Sequence, residues 1–313
     1  MTEPTAPGDD LVLQFLDGVA TIFNGAASSP AEIVPLLRQL LSSRVAPVLR
    51  PGETPQAAAE ERMARAWEDP AGPVLAVEAL HLWPDCAEAY LYLAAAVEGQ
   101  PGLSLALFTL AVEAASAALG PTYLDEYRGE MWERPEARTL MRAMEGMGRS
   151  YWSVGALEHA AEQFAELLAL NPNDDQGVRY PLASCLIEMG NGEAVNDLLT
   201  MYDDGTAGRA YLLALAAFQA DGDAAARPAL ASAVGLSPLI AEYLVGDRAF
   251  PQEALDLQVP PAVTEAMYFA DVMAPAWGAV EGALDWLKRW AKPDVPRAAP
   301  PAKEKRSGPR ILE

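Results

Sequence analysis

Apolar residues recur every three or four positions along most of the chain between residues 10 and 290, broken by short segments rich in Pro and Gly. That period predicts amphipathic helices and little strand. The clearest stretch is 141–174, MRAMEGMGRSYWSVGALEHAAEQFAELLALNPND, which reads as two helices joined at Ser153–Val154–Gly155. Gly148 and Ala160 are small, so the two helices can approach closely; Tyr151 and Phe164 are large and fill the space beside them. Pro172 stops the second helix, because it lacks an N–H and its ring collides with the preceding turn. One such pair leaves an apolar face that only a neighbouring pair can cover.

Taken in order, 1–9 is a polar lead expected to be disordered. Residues 10–54 form a helical cap or small module: Asp9 or Asp10 caps a helix to about Asn24, and Ser29–Pro30 opens another to about Ser43. From 55 to 245 the helices come in pairs. Segments 55–69 and 72–82 make the first, 87–120 the second, and 141–174 the third. Units 175–208 and 207–240 follow, with Pro181 predicting a kink or a late start. Segment 121–140 interrupts the series but keeps Tyr123, Tyr127 and Trp132, so it should pack rather than hang free. After Pro238 a helix runs to about Leu244; in 246–290, a Pro- and Gly-bearing loop comes first, Thr264 caps a helix running through Met273, and Pro275 opens a last one carrying Trp277, Trp286 and Trp290. These serve as C-terminal capping helices, and the Pro-rich stretch 291–313 is expected to be disordered.

Within 141–174, Gly148, Tyr151, Ala160, Phe164 and Pro172 occupy positions 8, 11, 20, 24 and 32 of a 34-residue unit, the tetratricopeptide spacing. The pattern predicts an all-α, right-handed superhelical solenoid of about four helix pairs between capping helices. Residues 55–290 further resemble the tetratricopeptide proteins related to the suppressor of tumorigenicity seven family and their bacterial relatives. The resemblance rests on Leu170-Asn171-Pro172-Asn173-Asp174-Asp175-Gln176-Gly177-Val178-Arg179-Tyr180, with Ala66-Trp67-Glu68, Leu82-Trp83-Pro84-Asp85-Cys86-Ala87-Glu88-Ala89-Tyr90, Leu140-Met141-Arg142-Ala143 and Ala283-Leu284-Asp285-Trp286-Leu287 in support. It implies helical repeats and a binding role, and no particular reaction.

Charge narrows the partners. The formal net charge is −22 over 313 residues, which argues against nucleic acid or an anionic membrane as the main partner. Basic residues concentrate at the C-terminal end, where Lys288, Arg289, Lys292, Arg297, Lys303, Lys305, Arg306 and Arg310 lie. Cys86 and Cys185 sit far apart in apolar helical pattern, which fits free thiols and a reducing, cytoplasmic setting. The stretch before the first apolar run carries no Lys or Arg, unlike a secretory signal. His81 and His159 have no second ligand at metal spacing. No phosphate-binding or nucleophile motif is present. The expectation is therefore a chain without cofactor or metal, acting as a non-catalytic scaffold or adaptor for a protein or peptide. Two other readings stand beside it: an enzyme with its site between the N-terminal helices and the solenoid, or a structural subunit of a fixed complex.

The expected binding surface is the concave face, lined by positions 2, 5, 9 and 12 of each first helix. These lie on one stripe of a 3.6-residue period. They include Arg142, Glu145, Arg149 and Trp152, then Gln176 and Arg179, then Tyr211 and Phe218. Three arginines beside an aromatic strip suit a peptide with an acidic group, such as a C-terminus. The same arginines could instead pair with the protein's own carboxylates and hold the repeats in register. Both readings follow equally from the sequence.

Overall fold

The computed structural model describes residues 30–42, 49–250 and 260–290, and among them the chain is all-α, with no strand. The expected helix from Asp9 or Asp10, residues 1–29, the stretch 251–259 and the C-terminal 291–313 lie outside the described residues. Contacts divide the chain into two compact units, Met1–Leu182 and Ala183–Glu313.

In the N-terminal unit the described helices are α1 (Pro30–Ser42), α2 (Pro55–Ala66), α3 (Gly72–Leu82), α4 (Ala87–Ala96), α5 (Pro101–Leu119), the single turn α6 (Tyr123–Glu126), α7 (Arg138–Ser153) and α8 (Leu157–Leu170). Proline opens α1, α2 and α5, where its missing N–H costs nothing and its fixed φ suits the first turn. Thr54 caps α2 by accepting from the Ala57 amide at 3.2 Å. Consecutive helices pack as pairs, α2 with α3, α4 with α5 and α7 with α8. The pairs also touch each other, α3 on α4, α5 on α7 and α4 on α7, while α1 lies on α5 and α3. Leu80, Leu103, Leu107, Leu140 and Met141 are fully buried along this series. Helix α5 is long and apolar enough to cross a membrane, and its Leu103, Ala106 and Leu107 are core residues of this unit.

The turn expected at 153–155 joins α7 to α8, with Gly155 at φ 76°. Gly148 of α7 is buried against Phe164 of α8; a Cβ there would meet the ring at 2.8 Å. Gly146 plays the same part toward α5, since a Cβ at that position would overlap the Phe108 ring. Phe108 is itself buried. Gly146→Ala should therefore cost about 1–3 kcal/mol through overpacking. Urea unfolding followed by circular dichroism checks this. Adding Phe108→Leu should recover part of the loss, whereas an unchanged midpoint in Gly146→Ala would show that the two helices separate freely.

The expected interruption, 121–140, is ordered by its own side chains. Tyr123 donates to Glu136 Oε1 at 2.7 Å, and the Arg134 guanidinium lies 4.1 Å from the centre of the Tyr127 ring. Met131 and Ala137 are buried at the two short 3₁₀ turns that lead into α7.

Helix α9 (Arg179–Glu188) begins late, so Pro181 falls in its first turn, where a missing N–H is tolerated. In the C-terminal unit α10 (Gly192–Met201), α11 (Ala207–Asp221), α12 (Asp223–Leu236), α13 (Pro238–Leu244), α14 (Pro261–Ala279) and α15 (Ala283–Trp290) follow. Asn191 and Thr206 cap α10 and α11 by accepting from Ala194 N and Arg209 N, each at 3.2 Å. Around α11 pack α10, α12 and α14, and α15 lies on α12, α13 and α14.

Two expectations are corrected here. Thr264 does not cap a helix, since α14 already begins at Pro261. Pro275 does not open a helix: it lies inside α14, which runs unbroken from Pro261 to Ala279. Val272, Met273, Ala276 and Trp277 on both sides of it are buried. Their packing offsets the lost backbone hydrogen bond and the ring clash of an internal proline, together about 3 kcal/mol. The core of this unit is aromatic. Trp286 stacks on Phe218 with ring centres 4.4 Å apart, and lies 6.2 Å from Trp277, which meets Tyr211 edge-on.

Candidate functional site

Helix α7 carries Arg142, Glu145, Arg149 and Trp152 at the expected spacing. Arg142 is exposed and reaches Glu88 Oε2 at 3.4 Å. Arg149 pairs along its own helix with Glu145 at 3.0 Å. The other oxygen of Glu145 accepts from Gln176 Nε2 at 2.9 Å, and the same amide nitrogen reaches the Met141 carbonyl at 3.3 Å. Arg149, Glu145 and Gln176 are thus one linked group that ties the 171–178 loop to α7. Trp152 is half-buried and stands edge-on to Phe164, with centres 6.5 Å apart.

Arg179 is drawn inward. Its guanidinium donates to Asp174 Oδ2 at 2.6 Å and to the Tyr180 hydroxyl at 3.2 Å, and it covers the Tyr180 ring at 4.6 Å. Asp174 has no exposed side-chain surface, and also accepts from the Val178 amide at 2.7 Å and the Arg179 amide at 3.3 Å. Burial pushes the Asp174 carboxyl up from its ordinary value, against the pull of Arg179 and the two amides. The three groove arginines are therefore each engaged with a carboxylate of the chain itself.

In the C-terminal unit Tyr211 departs from expectation. It is fully buried and donates its hydroxyl to the Ser237 carbonyl at 2.8 Å, so it is a core residue and lines no open groove. In that core its ring meets Trp277 edge-on, with centres 6.2 Å apart. Phe218 is half-buried, and Trp286 stacks on it.

A different feature of the N-terminal unit has the shape of a binding site. An open cavity of about 420 Å³ is formed by residues of α2, α5 and α7, the start of α4 and the segment before α7. The volume lies in the range of small-ligand and side-chain pockets. Its apolar wall comes from Met63, Ala64, Ala87, Ala115 and Ala118, with Trp67 and Trp83 as its aromatic members. Trp67 is 52% exposed, the most open tryptophan among the described residues with exposed hydrophobic side chains. Two contacts fix its indole: it stands edge-on to Tyr92 at 4.9 Å, and its Nε1–H donates to Glu88 Oε1 at 3.2 Å. Glu88 is held from its other side by Thr139 Oγ1 at 3.0 Å. Glu60 and Glu136 complete the lining, which contains no Lys or Arg.

Cys86 also borders this cavity but is buried, and desolvation pushes its thiol up to about 11. At neutral pH it is a protonated thiol, a weak nucleophile. Cys185 is likewise buried and raised to about 12. His159 is stacked on Tyr151 at 5.3 Å. Among the described residues no group of three or more His, Cys, Asp and Glu side chains is gathered closely enough to hold a metal ion.

Trp67 and Trp83 lie outside the arginine-lined groove that the helical period predicts. The sequence carries only a weak signal for them. Both fall at the C-cap of a helix beside acidic residues, where a large apolar side chain has no reason to be from the helix period alone. No protein-family model matches this chain, and no curated protein is significantly similar to it.

Proposed function

We propose that the chain is a non-catalytic protein- or peptide-binding module, working in the cytoplasm, whose paired helices stack as tetratricopeptide-like units of a right-handed solenoid. Three pairs in the N-terminal unit touch in series, which supports the stacking part of this reading. The binding part is carried by one observation. The cavity of about 420 Å³ is open, walled by apolar side chains, and holds a half-exposed tryptophan fixed by two contacts. A rigid, partly exposed aromatic beside small residues is the surface that anchors a partner's side chain at low entropic cost. The arginine stripe supports an acid-binding role less well, since Glu88, Glu145 and Asp174 already occupy its guanidinium groups.

The test is selection of a random 12-residue peptide library on the full chain. Enriched peptides should bind wild type and lose at least tenfold in affinity on Ala118→Trp, which fills the cavity from an exposed position. Failure to enrich any peptide, or equal binding to the filled variant, overturns the reading.

A further inference from the structure

The same cavity has a chemical preference, and this inference rests on the binding reading above. We propose that it receives a cationic side chain, Arg or Lys, from a basic segment of a partner protein, with the aliphatic stem against the apolar wall and the charged head among the carboxylates. Three features converge on this occupant. Glu60, Glu88 and Glu136 border the cavity, and no Lys or Arg is among its lining residues. Arg142, the cation that reaches Glu88, does so at 3.4 Å and is itself exposed, so the rim keeps a negative excess. Trp67 is half-exposed and lines the cavity, and an indole is the aromatic group that attracts a cation most strongly, a contact worth about 0.5–2 kcal/mol.

Electrostatics favours the same choice over an acidic or neutral occupant. The chain as a whole carries −22, so an acidic segment meets repulsion both at long range and at the rim. A neutral apolar side chain could fill the wall but would strip water from the rim carboxylates while adding no positive charge of its own, and that desolvation is costly. Lys and Arg are the side chains built for this division, with an apolar stem and a polar head. The polarity is opposite to that suggested by the arginine stripe in the sequence.

The experiment titrates four peptides, Ac-Gly-Leu-Ala-X-Ala-Leu-Gly-NH2 with X as Arg, Lys, Gln or Glu, into the full chain by isothermal titration calorimetry. The Arg and Lys peptides should bind at least tenfold more tightly than the Gln and Glu peptides. That preference should weaken as salt rises from 50 to 500 mM. Glu60→Gln with Glu136→Gln, both exposed positions, should reduce it to less than threefold while leaving the thermal midpoint unchanged. Trp67→Leu should weaken the Arg peptide and leave the Gln peptide little altered. If the Glu peptide binds as well as the Arg peptide, or the double carboxylate variant keeps the full preference, the cationic assignment is wrong while the binding reading stands. If none of the four binds at 1 mM, the cationic assignment is also wrong, and the library selection decides the binding reading separately.

Discussion

Asp174→Ala should lower stability by about 2.5–7 kcal/mol, the sum of three losses. The first is a helix cap: Asp174 accepts from the Val178 and Arg179 amides at the start of α9, and removing such an acceptor costs about 0.5–2 kcal/mol. The second is backbone strain. Asp174 has φ 54°, which Asp and Asn tolerate but Ala resists by about 1–2 kcal/mol. The third is the Arg179 guanidinium, whose side chain is 15% exposed and would lose its 2.6 Å partner, at about 1–3 kcal/mol. Asp174→Asn separates these, because it keeps the acceptor and the backbone preference and removes only the charge; it should cost less than half as much. Denaturant unfolding of the three proteins checks the order. An Asn variant as damaged as the Ala variant would mean that the ion pair, rather than the cap and the backbone, carries the effect.

The pH dependence has a definite sign. Burial raises the folded carboxyl of Asp174, so the folded chain holds that proton more tightly than the unfolded chain does. Stability from this group is then full below its unfolded pKa and falls as pH rises through the raised folded value. The advantage of wild type over Asp174→Asn should therefore shrink from acid toward neutral pH.

Trp286→Ala should be of similar size, about 3–5 kcal/mol, and confined to the C-terminal unit. Trp286 is fully buried on α15, stacked on Phe218 of α11 and beside Trp277 of α14, and its Nε1–H donates to Asp223 Oδ1 at 3.0 Å at the start of α12. One side chain thus touches three helices, and its loss opens a cavity between them. The thermal transition of this unit should fall by on the order of 10 °C. Trp286→Phe, which keeps a ring in the stack but gives up the bond to Asp223, should recover most of that. Near-ultraviolet circular dichroism reports both, since rings held in a fixed stack contribute to that signal. A full-strength aromatic spectrum in Trp286→Ala would mean that the cluster closes around the gap.

Local chemistry was legible in the sequence; meetings between distant segments were not. The pair α7–α8 could be read because Gly148, Ala160, Phe164 and Gly155 each have one good local explanation, and they agree. The Glu145–Arg149 pair is one helical turn apart and equally readable. Glu88 lies 54 residues from Arg142, and no periodicity points from one to the other. The cavity is less visible still, because α2, α4, α5 and α7 each contribute a few residues that look like ordinary surface or core when taken alone. Pro275 misled for the opposite reason: the local rule is sound, but buried neighbours on both sides overrode it. Tyr211 was assigned to a stripe by its spacing, yet a stripe says nothing of which neighbours the next helices will bring.

The prolines that open α1, α2, α5, α13 and α14 have an effect that no list of contacts contains. Each sits where its ring matches the backbone the helix already requires, so it restricts the unfolded chain more than the folded one. A compatible proline contributes about 0.4–1 kcal/mol in this way. Five such positions together rival the buried cap at Asp174 or the tryptophan cluster. Part of what keeps this protein folded is therefore the poverty of alternatives open to its denatured chain.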